Sequence, residues 1–451
     1  MKPYITSIPY YKDNILDMFA NFSKLPWSVL LYSGKYKKKE NRYDIFSSLP
    51  SSTILTYGKL TKINRLKNKK KFFSLEDPLF LLEKEISYYD MNYIDYENFP
   101  FQGGAIGIFG YDLSRRFIIL NSMSKKDTNF PDMAVGIYEW VIISDNKNLK
   151  TFLISQNEPS LILEKLKKKK IKYFFYTLKK WKANLSKFQY NNCFENIQEH
   201  LKKGDCYQVC LSQRFSNYYI GNEWSIFCKL LKFNLSFFSA FFRLPINVVL
   251  SFSPEQFLFV KNNKIITKPI KGTIKRYKCK KKDKIQKNKL INSDKDKAEN
   301  LMIVDLLRND LGKVSEKGSV KVKKLFEIES FYKIHHMVST ITAKLDKNKT
   351  IFDLIRSCFP GGSITGAPKI SAMKIIEKTE NIRRNFWCGS IFYISCCSRM
   401  DSNILIRTIL TENNKIYYYS GSGITIYSEK DLEFQEIINK TLSVIPFIEM
   451  L

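Results

Sequence analysis

Histidine is almost missing from this chain: there are 3 in 451 residues, His200, His335 and His336. That scarcity excludes a centre built on several histidine ligands. Acidic side chains are short as well, 43 Asp and Glu against 74 Lys and Arg, for a net charge of +31. Long apolar runs are absent; the stretch Ile246 to Phe252 falls far below the roughly 18–20 residues of a membrane span. Lys2, Lys12, Asp13 and Asp17 interrupt the first twenty residues, so no secretory signal is expected there. The expectation is a soluble, cytoplasmic protein with no membrane partner. The 9 cysteines are odd in number and scattered, which fits reduced thiols. Cys206 and Cys210 lie four apart, but no second pair with zinc-type spacing accompanies them.

Hydrophobic residues make up 44% and aromatics 14%, a globular composition able to bury a full core. The basic excess raises the question of a polyanionic partner. The lysines are dispersed, however, and the chain is also rich in Asn, Ile, Tyr and Phe, whose codons, like those of Lys, are A/T-rich. Biased coding accounts for the charge. The denser runs Lys37–Lys39, Lys69–Lys71, Lys167–Lys170 and Lys278–Lys284 read as solvated loops and helix ends. No nucleic-acid partner is expected, although the positive field would draw in small anions.

Residues 1–150 read as short β-type runs such as Trp27–Tyr32 and Ala134–Ser144, residues 151–186 as a Lys-rich connecting segment, and residues 187–451 as a second region. The glycines from Gly103 to Gly110 lack the dinucleotide-binding spacing and point to close backbone packing. After a helix from Lys187 ending at Gly204, strands are predicted at Tyr207–Phe215, Phe238–Leu244, Val248–Ser253, Ile265–Ile270, Phe392–Ser395, Ile404–Leu410 and Lys415–Ser420. Helices are predicted at Lys295–Leu311, Ile351–Cys358, Pro368–Lys378 and Glu429–Val444. Hairpin-like strands with a few long helices make an α+β chain with antiparallel sheets, not a doubly wound one.

Four segments carry chemistry. In the helix Lys295–Leu311, Leu301 to Val304 are apolar all round and read as buried. Glu299 shares a face with Met302, Ile303 and Leu306; its carboxylate either pairs at a helix end or is buried and needs a cation, donors or a proton. The C-terminal helix opens on Ser428-Glu429-Lys430-Asp431, a capping box, and aligns Glu433, Glu436 and Lys440. Taken alone, Glu436 and Lys440 are an ordinary surface pair. The preceding Gly421-Ser422-Gly423 offers bare backbone N–H groups to a carboxylate. Two helices each giving one carboxylate, without histidine, is a hard-cation pattern, and Mg2+ fits it best. Pro360-Gly361-Gly362-Ser363-Ile364-Thr365-Gly366-Ala367-Pro368-Lys369 runs into a helix without P-loop spacing, which suits a carboxylated small molecule over a nucleotide. Finally, Lys268-Pro269-Ile270-Lys271-Gly272-Thr273 places Lys271 at an apolar strand end. It is either a desolvated, nucleophilic amine or one solvated lysine among many. Ser253-Pro254-Glu255 and His335-His336 are mute in isolation.

Together these segments resemble the chorismate-utilising enzymes. The likeness runs through Cys206–Phe215, Leu250–Thr273, Asp296–Gly312, His335–Thr342, Pro360–Ile376, Asn385–Ser395, Asp401–Thr408 and Ser420–Lys440. In the N-terminal half it covers Leu25-Pro26-Trp27, Leu31-Tyr32-Ser33-Gly34, Pro100 to Gly104 and Pro131 to Gly136. The resemblance implies large antiparallel sheets packed as a sandwich with helices outside. Lys271 decides the branch: anthranilate-forming members have Ala in a Pro-Ile-Ala-Gly-Thr motif, whereas Pro-Ile-Lys-Gly-Thr is similar to the branch that aminates chorismate at C4. That branch implies ammonia from a separate glutamine amidotransferase subunit.

The resemblance also implies roles. Glu299 and Glu436 would hold Mg2+, Lys271 would attack C2, and Glu255 would protonate the departing C4 hydroxyl. His336 would lie near the ring carboxylate, Tyr393, Arg407, Lys440 and the backbone of Gly421 and Gly423 would anchor the carboxylates, and Ser363, Gly366 and Ala367 would line the pocket. Ser33, Glu40, Asn41, Arg42, Tyr43, Phe237, Phe238 and Ser239 match the family's amino-acid pocket, with tryptophan or nothing inside. Departures from the family pattern are Phe237 for Pro, Phe392 for Gly with a ring that would crowd the substrate, Cys210 for Asn, and Ile274-Lys275-Arg276 for Leu-Pro-Arg. The alternatives are an anthranilate-forming subunit, a basic nucleic-acid binder and a silent docking subunit.

Overall fold

The structure is a computed structural model that describes residues 2–11, 14–34, 42–94, 99–167, 174–233, 236–331, 334–442 and 444–449. Two antiparallel sheets dominate it, of 13 and 12 strands among the described residues. The first sheet runs from Tyr4–Ile8 at one edge, through Val29–Tyr32, Phe238–Arg243, Asn247–Ser253 and Thr408–Glu412, to β1 (Gln208–Gly221) near the other. The second centres on Gly104–Phe109, paired with Ser390–Ser395 and Met133–Tyr138, and ends at one edge with β2 (Ile270–Lys275) against β3 (Ile334–Lys344). The first sheet's β4 (Lys415–Thr425) pairs with β1 along eleven registered positions, Gln208↔Thr425 to Tyr218↔Lys415.

Strand alternation explains the layering. Val29, Ile45, Val141, Ile143, Phe242, Val249 and Leu410 point into the core shared with the second sheet. Their neighbours Leu30, Phe46, Ile142, Phe241, Leu250 and Ile409 join an outer cluster under the helices Asn14–Ala20, Glu223–Phe233 and Ile445–Glu449. A third cluster packs Lys187–Lys202 (Tyr190, Phe194, Ile197) with α2 (Lys369–Thr379) and α3 (Lys430–Thr441) onto β1. The 103–110 glycines behave as expected: a Cβ at Gly107 would fall 2.6 Å from the Ala134 carbonyl oxygen.

Residues from both sequence halves build each sheet; Ser239, for example, pairs with Tyr32. The 1–150 and 187–451 regions therefore interleave, and 151–186 supplies strands at Phe175–Thr177 and Lys182–Ala183 to the first sheet.

The predicted helix Ile351–Cys358 is observed with those bounds, and α1 spans Asp294–Gly312. Other boundaries moved for local reasons. The strand expected through Ile270 breaks after Thr267, because Pro269 has no N–H for the ladder. The Ile404–Leu410 run becomes a strand only at Thr408, after Arg407 at φ +50. The capping box at Ser428 is not formed: its hydroxyl accepts from Thr425 N at 3.1 Å and donates to Glu433 at 2.7 Å, so α3 starts at Lys430 without a side-chain cap. In α1, Ile303 and Val304 are buried but Leu301 is 44% exposed. No described helix is long and apolar enough to cross a membrane.

Candidate active site

Lys271 sits on a β-bulge. The register of β2 against β3 shifts between Ile270 and Thr273, and Gly272 takes φ +84 with Asp296 of α1 only 3.1 Å from where its Cβ would stand. A bulge re-aims the side chain beside it. Here it sends the Lys271 ammonium to within 3.6 Å of Glu299 Oε2. On the far side, a Cβ at Gly423 would lie 3.3 Å from Lys271 Nζ and 2.6 Å from Gln208 Nε2. Only glycine leaves this wall open.

Glu255 is held by its own turn. Ser253 Oγ accepts the Glu255 N–H at 3.3 Å and donates to the Ile404 carbonyl at 2.5 Å. Burial pushes the Glu255 carboxyl up to about 7, opposed by hydrogen bonds from Ser363 and the Ile270 N–H and by the charge of Lys271. It therefore holds a proton near neutrality, as a general acid must. His336 donates to or accepts from Thr273 Oγ1 at 2.8 Å through Nδ1, while its buried Nε2 has no partner among the described residues. Burial, then the neighbouring Arg407, depresses it to about 3, so the ring is neutral. The Arg407 guanidinium has no ion pair or hydrogen bond with any described residue, and burial lowers its pKa.

Carboxylates converge on the other side of Lys271. Burial raises the Glu299 pKa, opposed by Lys271 and Lys295. Lys295 in turn feels Glu433, Glu299 and Glu436, with Glu433 at 3.6 Å. Glu436 pairs with Lys440 at 2.6 Å; burial raises its carboxyl, but Lys440 together with Lys295 and Lys271 holds it low on balance. Lys440 also donates to the Gly421 carbonyl at 2.8 Å. Gly366 and Ala367 pair with β1 at Val209 and Gln208.

Tyr393 is placed elsewhere. Its ring packs edge-on to Phe101 at 5.7 Å and lines a cavity of about 90 Å³ with Ser33, Arg42, Tyr43, Phe237, Phe238 and Ser239. Its charged neighbours there are Asp401 and Arg399, not the Lys271 group. The amino-acid-pocket residues thus meet in one cavity, except that Glu40 and Asn41 lie outside the described residues. Phe392 does not crowd the site: its ring stacks on Phe109 at 3.9 Å in the core. Phe237 lines the cavity and packs on Phe331 at 4.9 Å.

Gln208 went unnoticed in the sequence. It is fully buried, and neither side-chain heteroatom has a hydrogen-bond partner among the described residues. No spacing signal singled it out; only the register opposite Thr425 brings it to Lys271.

A buried acid, a bulge-borne amine, a carboxylate cluster and an arginine without a partner among the described residues, gathered where strands of the two sheets approach, suit an enzyme for a small carboxylated substrate. The chain belongs to the family of chorismate binding enzymes, which matches residues 33–446. It is 43% identical over 451 residues, 100% of both chains, to aminodeoxychorismate synthase component 1 of Klebsiella aerogenes. The same enzyme of Escherichia coli K12 is also 43% identical, over 100% of this chain and 99% of that one. The crystal structure of anthranilate synthase component I from Streptococcus pneumoniae TIGR4 superposes with TM-score 0.78 at 28% identity, covering 91% of this chain and 93% of that one.

Proposed function

We propose that this chain aminates chorismate at C4 to give 4-amino-4-deoxychorismate, the precursor of 4-aminobenzoate, in the cytoplasm. The observation that carries the reading is Lys271 aimed between Glu299 and Gly423, in a chain that matches component 1 enzymes from end to end. Lys271 attacks C2 as the C4 hydroxyl departs, and Glu255 supplies the proton that makes water the leaving group. Ammonia then forms the new bond at C4 and the lysine amine leaves C2. The net change is chorismate plus ammonia to product plus water.

Arg407, Lys440 and the backbone of Gly421 and Gly423 receive the substrate carboxylates, with neutral His336 beside the ring carboxylate. Ser363, Gly366 and Ala367 close the pocket. Among the described residues no group of three or more His, Cys, Asp or Glu side chains could hold a metal alone. Two oxygen donors completed by water and substrate suit Mg2+, which keeps several waters, and the Glu299 carboxyl, which burial raises, would be held ionised by a cation beside it. Glu299 and Glu436 would hold it, and it would supply Lewis-acid neutralisation of the ring carboxylate. Ammonia comes from a separate glutamine amidotransferase subunit. The cavity lined by Tyr43, Phe237, Phe238 and Tyr393 offers the aromatic walls that would suit tryptophan as an occupant.

Incubation with chorismate, ammonia and Mg2+ should yield 4-amino-4-deoxychorismate. Anthranilate as the product would overturn the reading.

A further inference from the structure

Arg384 is 2% exposed and sits in no reacting position, yet its hydrogen bonds reach both the Ser363 loop and β1. Nη1 donates to the Ile364 carbonyl at 2.9 Å, one residue beyond Ser363. Nη2 donates to the Cys210 carbonyl at 2.7 Å, and Cys210 is the cross-strand partner of Gly423. Its charge is matched by Glu380, bound through Nε at 2.8 Å and Nη2 at 2.7 Å. Glu380 also accepts the Ser212 N–H at 2.9 Å, and Ser212 faces Gly421. The guanidinium lies over the Trp387 ring at 5.2 Å, and that ring backs Gly421, where a Cβ would come within 2.8 Å of it.

One buried ion pair therefore ties together three things: the loop that carries Ser363, and the β1 rungs opposite Gly421 and Gly423. The planar fork makes four bonds at once, two to carbonyls and two to the carboxylate, one more than the three donors of an ammonium allow. Burying two charges is a poor route to stability alone, since an apolar pair of like volume often does as well. Their placement behind the Ser363 loop and β1 supplies the reason.

We propose that Arg384 and Glu380 form a positioning pair that fixes the Ser363 hydroxyl against Glu255 and the Gly421–Gly423 backbone against the substrate carboxylate. The inference rests on Glu255 as the proton donor and on the glycine turn as the carboxylate receptor. Without the pair, the loop and the two rungs lose their common anchor. Ser363 then no longer favours ionised Glu255, and the high-pH limb of turnover moves upward.

The test is steady-state kinetics with chorismate, ammonia and Mg2+ across pH for Glu380→Met/Arg384→Met, with circular dichroism to establish folding. The expected result is a KM for chorismate raised about tenfold or more and a high-pH limb displaced upward by about 0.5–1 unit. A folded double variant with the parent's KM and pH profile overturns the proposal. Arg384→Lys is measured alongside and decides the matter if the double variant does not fold. It keeps the ion pair but cannot reach both carbonyls, so the same changes are expected in smaller measure, and parental kinetics overturn the proposal. Glu255→Gln keeps the two readings apart: if that variant retains the high-pH limb, Glu255 is not the acid and only the KM arm bears on Arg384.

Discussion

The Lys271 amine stands 3.6 Å from Glu299 and, on its other side, 3.3 Å from the point where any side chain at position 423 would begin. The proposed nucleophile, a carboxylate proposed to hold Mg2+ and a bare stretch of backbone thus belong to one small volume. Each was a separate motif in the chain, and their closeness makes each testable through the others.

Lys271→Ala should remove the amine and leave the carboxylate cluster standing. Amination at C4 is expected to fall by about 10³-fold or more, as for loss of a covalent nucleophile. Mass spectrometry of the parent enzyme with chorismate and no ammonia should show a chorismate-minus-water adduct on the peptide containing Lys271. An unmodified peptide, with normal turnover once ammonia is added, would reduce Lys271 to an electrostatic role.

Glu299→Gln and Glu436→Gln should each abolish Mg2+-dependent turnover with the fold intact, because each removes one negative charge from a site meant for a divalent cation. Mg2+ binding followed by calorimetry should weaken in both. Parental activity at limiting Mg2+ in either variant would remove that residue from the site.

Glu255 gives a pH prediction with a definite sign. A carboxyl raised to about 7 is protonated and active as an acid below that pH, so turnover should fall as pH rises through neutrality. The same shift costs stability. The native state binds a proton that the unfolded chain has already lost between its ordinary carboxylate pKa and 7, so folding weakens as pH rises across that window. Glu255→Gln should abolish turnover yet stabilise the fold at pH 8 by on the order of 2–3 kcal/mol. Urea unfolding at pH 5 and pH 8 reads the difference; equal gains at both would contradict it.

Phe392→Gly restores the glycine that the family pattern has here. Because the ring stacks on Phe109 in the core, the change should destabilise by about 3–5 kcal/mol through the cavity it opens, without improving KM for chorismate. A gain in chorismate affinity would show that the ring reaches the substrate after all.

The sequence by itself determined the class of elements and singled out the candidate residues of the site. Alternating apolar positions and proline or glycine breaks fixed antiparallel strands, and the helices containing Glu299 and Glu436 were legible from their periodicity because local sequence dictates local structure. Lys271, in Pro-Ile-Lys-Gly-Thr, was readable as a departure from alanine at the same place. What the chain order could not carry was anything set by register and packing between distant segments. The capping role of Ser428 was lost to contacts with Thr425 and Glu433. Tyr393 and Phe392, adjacent in sequence, point to opposite faces of one strand, to the aromatic cavity and to the core, and neither ring joins the Lys271 group. Gln208 meets Lys271 because β1 and β4 pair in one register of many, and Arg384 reaches Ile364 and Cys210 only when α2 lies on β1. Such contacts are decided by burial summed over the whole fold, where a one-residue slip would turn every side chain to the other face.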